Sequence, residues 1–247
     1  QTRELIESRG GKPIGDALEA FELQLAVMAN PEAGTDERAL ALSWFLHVAG
    51  DMHQPLHVTD YFSAEYPSGN AAGALSYVWD PMQDSATSLH ILWDSNSLRS
   101  TALEDVDRYA REIVGKYPRT SFPQLASDAT DPDVRAWALE SHQIAIDFAY
   151  GKGIEFIKDP DMELDAEKIV GKMVKYILFG VSPLEEAPEV PAEYWEQLQG
   201  HAHSQIALAG YRIADTIVAV ADRLLVDRTL AGAVLESMDN VQSREVD

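Results

Sequence analysis

The sequence predicts an all-α fold: several helices in a single domain covering residues 1–247, with one long loop that contains a short hairpin. Three observations predict it. Apolar residues recur at helical spacing in segment after segment. Ser, Thr, Asp and Pro fall where helices should begin and end. No internal repeat, no heptad pattern sustained over several turns and no parallel-sheet pattern is visible.

The first helix is expected over Pro13–Asn30, where Ile14, Leu18, Phe21, Leu25 and Met28 share a face and Pro31 stands just beyond. Thr35 or Asp36 is the expected N-cap of a second helix that runs to about His53 and is stopped by Pro55. Residues 58–86 are rich in Ser, Gly, Ala, Asp and Pro and read as the long loop, with the hairpin near Ala74–Trp79. Long ordered loops in compact domains are often functional. A short helix is expected over Ser88–Leu98, then helices over Leu103–Lys116, Pro132–Tyr150 and Ala166–Leu178. The acidic, Pro-rich segment Ser182–Pro191 reads as a connection. A long helix over Ala192–Leu225 and a shorter one over Leu230–Met238 complete the chain.

Composition narrows the chemistry. Hydrophobic residues make up 46% of the chain, enough for a folded core. No apolar run approaches the roughly 18–20 residues of a membrane span. The first residues lack the apolar core of a secretory signal, which cleavage would in any case remove. Cysteine is absent, which excludes disulfides, thiolate metal sites and cysteine nucleophiles together. The net charge of −22 argues against a basic surface that grips duplex phosphates. An anionic substrate would need local positive charge, which bound metal ions can supply. Of the seven histidines, four lie between residues 47 and 90.

The helix ending near His53 carries LALSWFLHVAGDMH, apolar nearly all round, which predicts burial. One stripe of it reads Leu40, Trp44, His47, Val48 and Asp51. His47 and Asp51 are an i, i+4 pair, so their side chains leave one face about 5–6 Å apart. A buried carboxylate needs a partner, and a metal ion, an Arg or a protonated His would each serve Asp51. His57 follows six residues later, past Pro55. Downstream, SLHILWDS repeats the spacing in His90 and Asp94, set among Leu89, Ile91, Leu92 and Trp93. A single pair of this kind reads best as a hydrogen-bonded core pair. Two pairs with a further His in one stretch point to a metal cluster, and imidazole and carboxylate donors suit zinc.

LHVAGDMHQPLH followed by SLHILWDS resembles the signature of the zinc-dependent single-strand nucleases, the nuclease S-one/nuclease P-one family, related in fold to bacterial zinc phospholipases C. Two later segments extend the resemblance over nearly all the chain. WALESHQIAIDFAYG, Trp137–Gly151, is similar to the family's Trp, Glu-Ser and Tyr pattern, and QIALAGYRIADTI, Gln205–Ile217, to its closing helix.

The resemblance implies three Zn2+ ions in a cleft. His47 would bind the first, Asp51 would bridge the first and third, and His57, His90 and Asp94 would form the second site, with water completing its shell. It implies hydrolysis of phosphodiester bonds in single-stranded DNA or RNA by zinc-activated water, with no side-chain nucleophile. Products would carry 5′-phosphates, and 3′-nucleotidase activity would accompany the nuclease. It also implies secretion or export to the periplasm, with no stable membrane association and no protein partner.

Two departures from the family pattern bear on loop geometry: Ser68-Gly69-Asn70 stands for Gly-Gly-Asn, and Ser88 for an Asn before the second-motif His. A third lies upstream. The family's remaining ligands to the first and third ions precede the signature, yet no His precedes His47 here. The expectation is that an N-terminal portion lies outside the sequence. Two other readings stay open: a zinc phospholipase C, which would need an exposed apolar rim, and a non-catalytic protein that kept one zinc site.

The loop between the motifs holds Tyr61, Phe62, Tyr66, Tyr77 and Trp79, which either stack unpaired bases or pack the loop on itself. Tyr61, Phe62 and Asn70 are the candidate substrate contacts. Trp44 and Trp93 are expected in the core beside the metals. His53 and His142 are expected in packing or supporting roles, and His201 and His203 at the surface. Glu104, Asp105 and Asp107 read as a solvated helix N-terminus.

Overall fold

The computed structural model describes residues 16–96, 100–128, 132–151, 153–158 and 186–242, without the side chains of 127, 128 and 227–242. Asp16 opens the first helix, α1 (Ala17–Ala29): its Oδ1 accepts hydrogen bonds from the N–H groups of Leu18 and Glu19, both at 3.0 Å. Arg38 pins the turn that follows, donating to the carbonyls of Asn30 and Pro31. It belongs to α2 (Thr35–Asp51), which buries Ala41, Phe45, Val48 and Ala49. Phe45 meets Phe21 of α1 with ring centroids 5.3 Å apart.

Burial along α2 is narrower than its composition predicts. Leu40 is 62% exposed and Trp44 52%, so Trp44 is not a core residue. The buried positions recur at i, i+4, i+7 and i+8, one stripe of the helix. An apolar sequence fixes no more than that stripe, and the remaining apolar side chains face outward.

Contacts divide the chain into two units. The first comprises Gln1–Ala49, Ala126–Val134 and Arg212–Asp247, and the second Gly50–Leu125 and Arg135–Tyr211. In the first unit, Arg212 is buried and its carbonyl accepts a hydrogen bond from Thr216 Oγ1 at 2.8 Å.

The second unit begins with a 3-10 turn over Pro55–Val58. The expected hairpin follows as β1 (Ser76–Asp80) and β2 (Ser85–Ser88), paired antiparallel with Val78 opposite Thr87. A two-residue strand, β3 (Ile157–Lys158), adds to the other side of β1 in the order β2-β1-β3. β2 runs directly into α3 (Leu89–Asp94). Ser88 caps that helix, its Oγ accepting from the Ile91 N–H at 3.2 Å, so serine does here what an N-capping Asn would do. Next come α4 (Leu103–Lys116), a 3-10 turn at Arg119–Ser121 and the short α5 (Leu125–Asp128). Helix α6 (Val134–Ile144) widens into a π turn at Ala145–Ala149. The last helix, α7, is continuous over Ala192–Gln242. The break expected between Leu225 and Leu230 is absent, because Asp227–Thr229 hold neither Pro nor Gly to interrupt the backbone. The helix expected over Ala166–Leu178 lies outside the described residues.

The core of the second unit gathers Leu56, Val78, Leu89, Leu92, Trp93 and Phe148 with Tyr194 and Leu198 of α7. Trp93 Nε1 donates to the Tyr194 hydroxyl, which donates to the Ala149 carbonyl at 3.0 Å. Trp93, 3% exposed, is the core residue expected, and its burial sets the orientation of α3.

Candidate metal centre

Pro55 ends α2 and bends the chain into the 3-10 turn that carries His57. Pro55 and Leu56 are buried, so the turn is anchored while the His57 ring is left at the surface of the core, 23% exposed. α3 supplies His90 and Asp94 one turn apart, with Leu89, Leu92 and Trp93 on its buried side. The two elements bring His57, His90 and Asp94 together: one ligand atom from each lies within 4.8 Å of the others. Asp94 bridges the two rings, with Oδ1 3.2 Å from His57 Nε2 and Oδ2 3.3 Å from His90 Nε2. The two imidazoles stack, centroids 4.9 Å apart and planes within 9°. Asp51, at the end of α2, joins through His57, whose Nδ1 is 3.4 Å from Asp51 Oδ1.

His47 lies on α2. It is exposed on the part of α2 that belongs to the first unit, where its ring meets the edge of Trp44 at 6.1 Å.

Two supporting contacts are invisible to motif spacing. Gln54 Nε2 donates to Asp94 Oδ1 at 2.8 Å, while Gln54 Oε1 accepts from the Leu56 N–H. Its position in HQPLH, between Asp51 and His57, was the available signal. The Ala72 carbonyl accepts from His90 Nδ1 at 2.9 Å, which turns Nε2 toward Asp94. Loop chemistry of this kind leaves no side-chain signature.

Electrostatics tie the cluster together. Burial works against a charged His57, but its hydrogen bonds and opposite charges with Asp51 and Asp94 outweigh it and raise the pKa from 6.5 to about 9. Burial likewise opposes a charged Asp94, yet hydrogen bonds from His57, His90 and Gln54 hold its carboxyl far below the usual carboxylate range. A cation at the centre would replace the proton on His57 as the partner of Asp94.

The donor set fits zinc. Two ligand atoms about 2.0–2.1 Å from a tetrahedral ion stand about 3.3 Å apart. Each imidazole Nε2 stands about that far from one Asp94 oxygen, His57 from Oδ1 at 3.2 Å and His90 from Oδ2 at 3.3 Å. Two imidazoles and one carboxylate leave coordination positions open, the pattern of catalytic zinc.

The expected substrate contacts separate. Asn70 is fully buried, and its side-chain amide is engaged in hydrogen bonds within the protein. Its Oδ1 accepts from the Tyr61 and Gly73 N–H groups and the Tyr150 hydroxyl, and its Nδ2 donates to Ser76 Oγ. Tyr61 is half-buried and stacked on Tyr150 at 5.1 Å, and Tyr66 and Tyr77 are buried, so most of the loop aromatics pack on the loop. Phe62 is 64% exposed.

The other histidines divide similarly. His53 is buried against Trp137, and His142 Nδ1 is 2.9 Å from Thr59 Oγ1. His201 and His203, expected at the surface, are half-buried against Phe148 and Tyr109, because the helix faces that carry them meet aromatic residues of the same unit. The α4 acids form surface pairs, Asp105 with Arg108 and Asp107 with Arg111.

Fold and site together define a mostly helical protein with a two-histidine, one-carboxylate candidate cation site. The chain belongs to the S1/P1 nuclease family, whose model matches residues 7–222 and so spans every residue of the site. No curated protein matches the chain. The family is one of zinc-dependent nucleases, hydrolases of phosphodiester bonds.

Proposed function

We propose that this chain cleaves phosphodiester bonds in single-stranded DNA or RNA, leaving 5′-phosphates, and that it also acts as a 3′-nucleotidase. The observation that carries this reading is the convergence of His57, His90 and Asp94, with one ligand atom of each within 4.8 Å of the others. Zinc held there would act as a Lewis acid and lower the pKa of water to about 7. His57 and His90 each offer Nε2 to it, and the Ala72 carbonyl and Gln54 hold His90 and Asp94 in place. The family resemblance supports His47 and Asp51 as ligands of further zinc ions, three in all, and a secreted or periplasmic location.

The chain carries 41 acidic against 19 basic residues, so its net charge repels a phosphate. Attraction of a phosphate therefore falls to the bound metal. Phe62 offers an exposed ring on which an unpaired base can stack. Hydrolysis needs no side-chain nucleophile, in keeping with the absence of cysteine.

The test is cleavage of single-stranded DNA, single-stranded RNA and duplex DNA by zinc-loaded protein, with and without a chelator. Zinc-dependent loss of the single-stranded substrates with 5′-phosphate products is expected. Cleavage that survives complete zinc removal, or zinc-loaded protein that cleaves phosphatidylcholine and leaves nucleic acid intact, refutes the reading.

A further inference from the structure

We infer that Asp60 is a positioning residue, whose carboxylate clamps the 69–73 turn so that the Ala72 carbonyl holds the His90 ring with Nε2 aimed at the metal site. The inference rests on the proposal that His57, His90 and Asp94 hold zinc.

The turn is one that a chain does not adopt unaided. Four of its residues have positive φ: Gly69 at 88°, Ala71 at 53°, Ala72 at 57° and Gly73 at 88°. Two glycines tolerate this, whereas two consecutive alanines do so only when surrounding contacts impose it. Asp60 imposes it from outside. Its Oδ1 accepts from the Asn70 N–H at 2.8 Å and the Ala72 N–H at 3.3 Å, as well as from Tyr61 at 3.0 Å. The fit is close: a Cβ on Gly69 would lie 2.2 Å from Asp60 Oδ2. Asn70 braces the same turn from inside, through Tyr61, Gly73, Tyr150 and Ser76.

What the turn presents is His90. Ala72 O accepts from His90 Nδ1 at 2.9 Å, and Gly73 O accepts from the His90 N–H at 3.4 Å. The first bond fixes the proton on Nδ1 and leaves Nε2 as the metal donor. Asp60 is exposed, as Asn70 is not, so it can be replaced without opening the core. A purely architectural role for Asp60 would stabilise the loop and leave the state of the His90 ring unchanged.

The experiment compares the wild-type chain with Asp60→Ala and Asp60→Asn by long-range 1H–15N spectra of the His90 ring, first metal-free and then through a zinc titration. In the wild type the His90 proton should reside on Nδ1 and zinc should bind Nε2. Asp60→Ala should lose the preference for Nδ1 and weaken zinc at this ring by about 10- to 100-fold. Asp60→Asn keeps an acceptor oxygen and should recover affinity to within about threefold of the wild type. An Asp60→Ala chain with an unchanged ring tautomer and unchanged zinc affinity overturns the inference, whatever its melting temperature. Should Asp60→Ala not fold, Asp60→Ser, which keeps an oxygen on a shorter arm, is read in the same way. A wild-type chain that binds no zinc refutes the metal reading instead, and the metal-free spectra still decide whether Asp60 sets the ring.

Discussion

Replacing Asp94 by Ala removes one of three converging donors and leaves the two imidazoles in place. Zinc sites with four protein donors are worth about 10–16 kcal/mol, so one donor accounts for about 3 kcal/mol, or roughly 100-fold in affinity. Protons modify that figure. With a pKa of about 9, His57 is protonated at pH 7 in the metal-free protein, and zinc must displace the proton. Two pH units of competition weaken zinc binding to the wild type by roughly 100-fold at pH 7. Asp94 supplies part of what raises His57, so the variant sheds part of this competition. The net loss should therefore be about 10-fold at pH 7 and approach 100-fold near pH 9. Calorimetric zinc titrations in buffers of different ionisation enthalpy read both quantities. Wild type should release about one proton per zinc at pH 7, and the variant clearly less. Cleavage of single-stranded DNA should be lost in the variant. Wild-type affinity, proton release and activity in Asp94→Ala would refute the reasoning.

Metal-free protein should also lose stability at alkaline pH. The folded pKa of His57 lies above its unfolded value of 6.5, so its pairing stabilises fully below 6.5 and is lost as pH rises through about 9. Thermal melts of chelator-treated protein should fall across that window, and a flat profile would contradict the His57 pairing. His201 has the opposite sign. Burial lowers its pKa, so its contribution is complete above the unfolded value of 6.5 and is lost as pH falls from there through the lower folded value, and His201→Gln should flatten the acid side of the melting profile. Ser141 is fully buried, its Oγ donating to the Met52 carbonyl at 2.7 Å and accepting from Gln205 at 3.0 Å. Ser141→Ala strands both partners and should cost about 1–3 kcal/mol in denaturant unfolding. Phe62→Ala should raise KM for single-stranded DNA by roughly 5- to 100-fold with an unchanged melting temperature.

The convergence of His57, His90 and Asp94 was legible in the sequence because its geometry is largely local. An i, i+4 pair on a helix fixes the relation of His90 to Asp94 before any tertiary contact forms, and a proline break explains how His57 leaves α2. The element order was legible for the same reason: Leu103–Lys116 has the expected bounds, whereas the hairpin expected near Ala74–Trp79 extends to Ser88. What escaped depends on contacts between distant segments. Trp44 and Trp93 look alike in an apolar run, and only packing puts one at the surface and the other against Tyr194. Asn70 resembles a substrate ligand by motif, yet its amide is consumed by backbone groups that the loop brings round. Gln54, Asp60 and the Ala72 carbonyl act on the ligands through hydrogen bonds, and spacing carries no record of those.

The most direct measurement is anomalous diffraction at the zinc edge from crystals grown with zinc. The expected result is a peak about 2.0–2.2 Å from Nε2 of His57, Nε2 of His90 and a carboxylate oxygen of Asp94. Crystals that take up zinc elsewhere, and leave His57 and Asp94 bonded directly to each other, would contradict it.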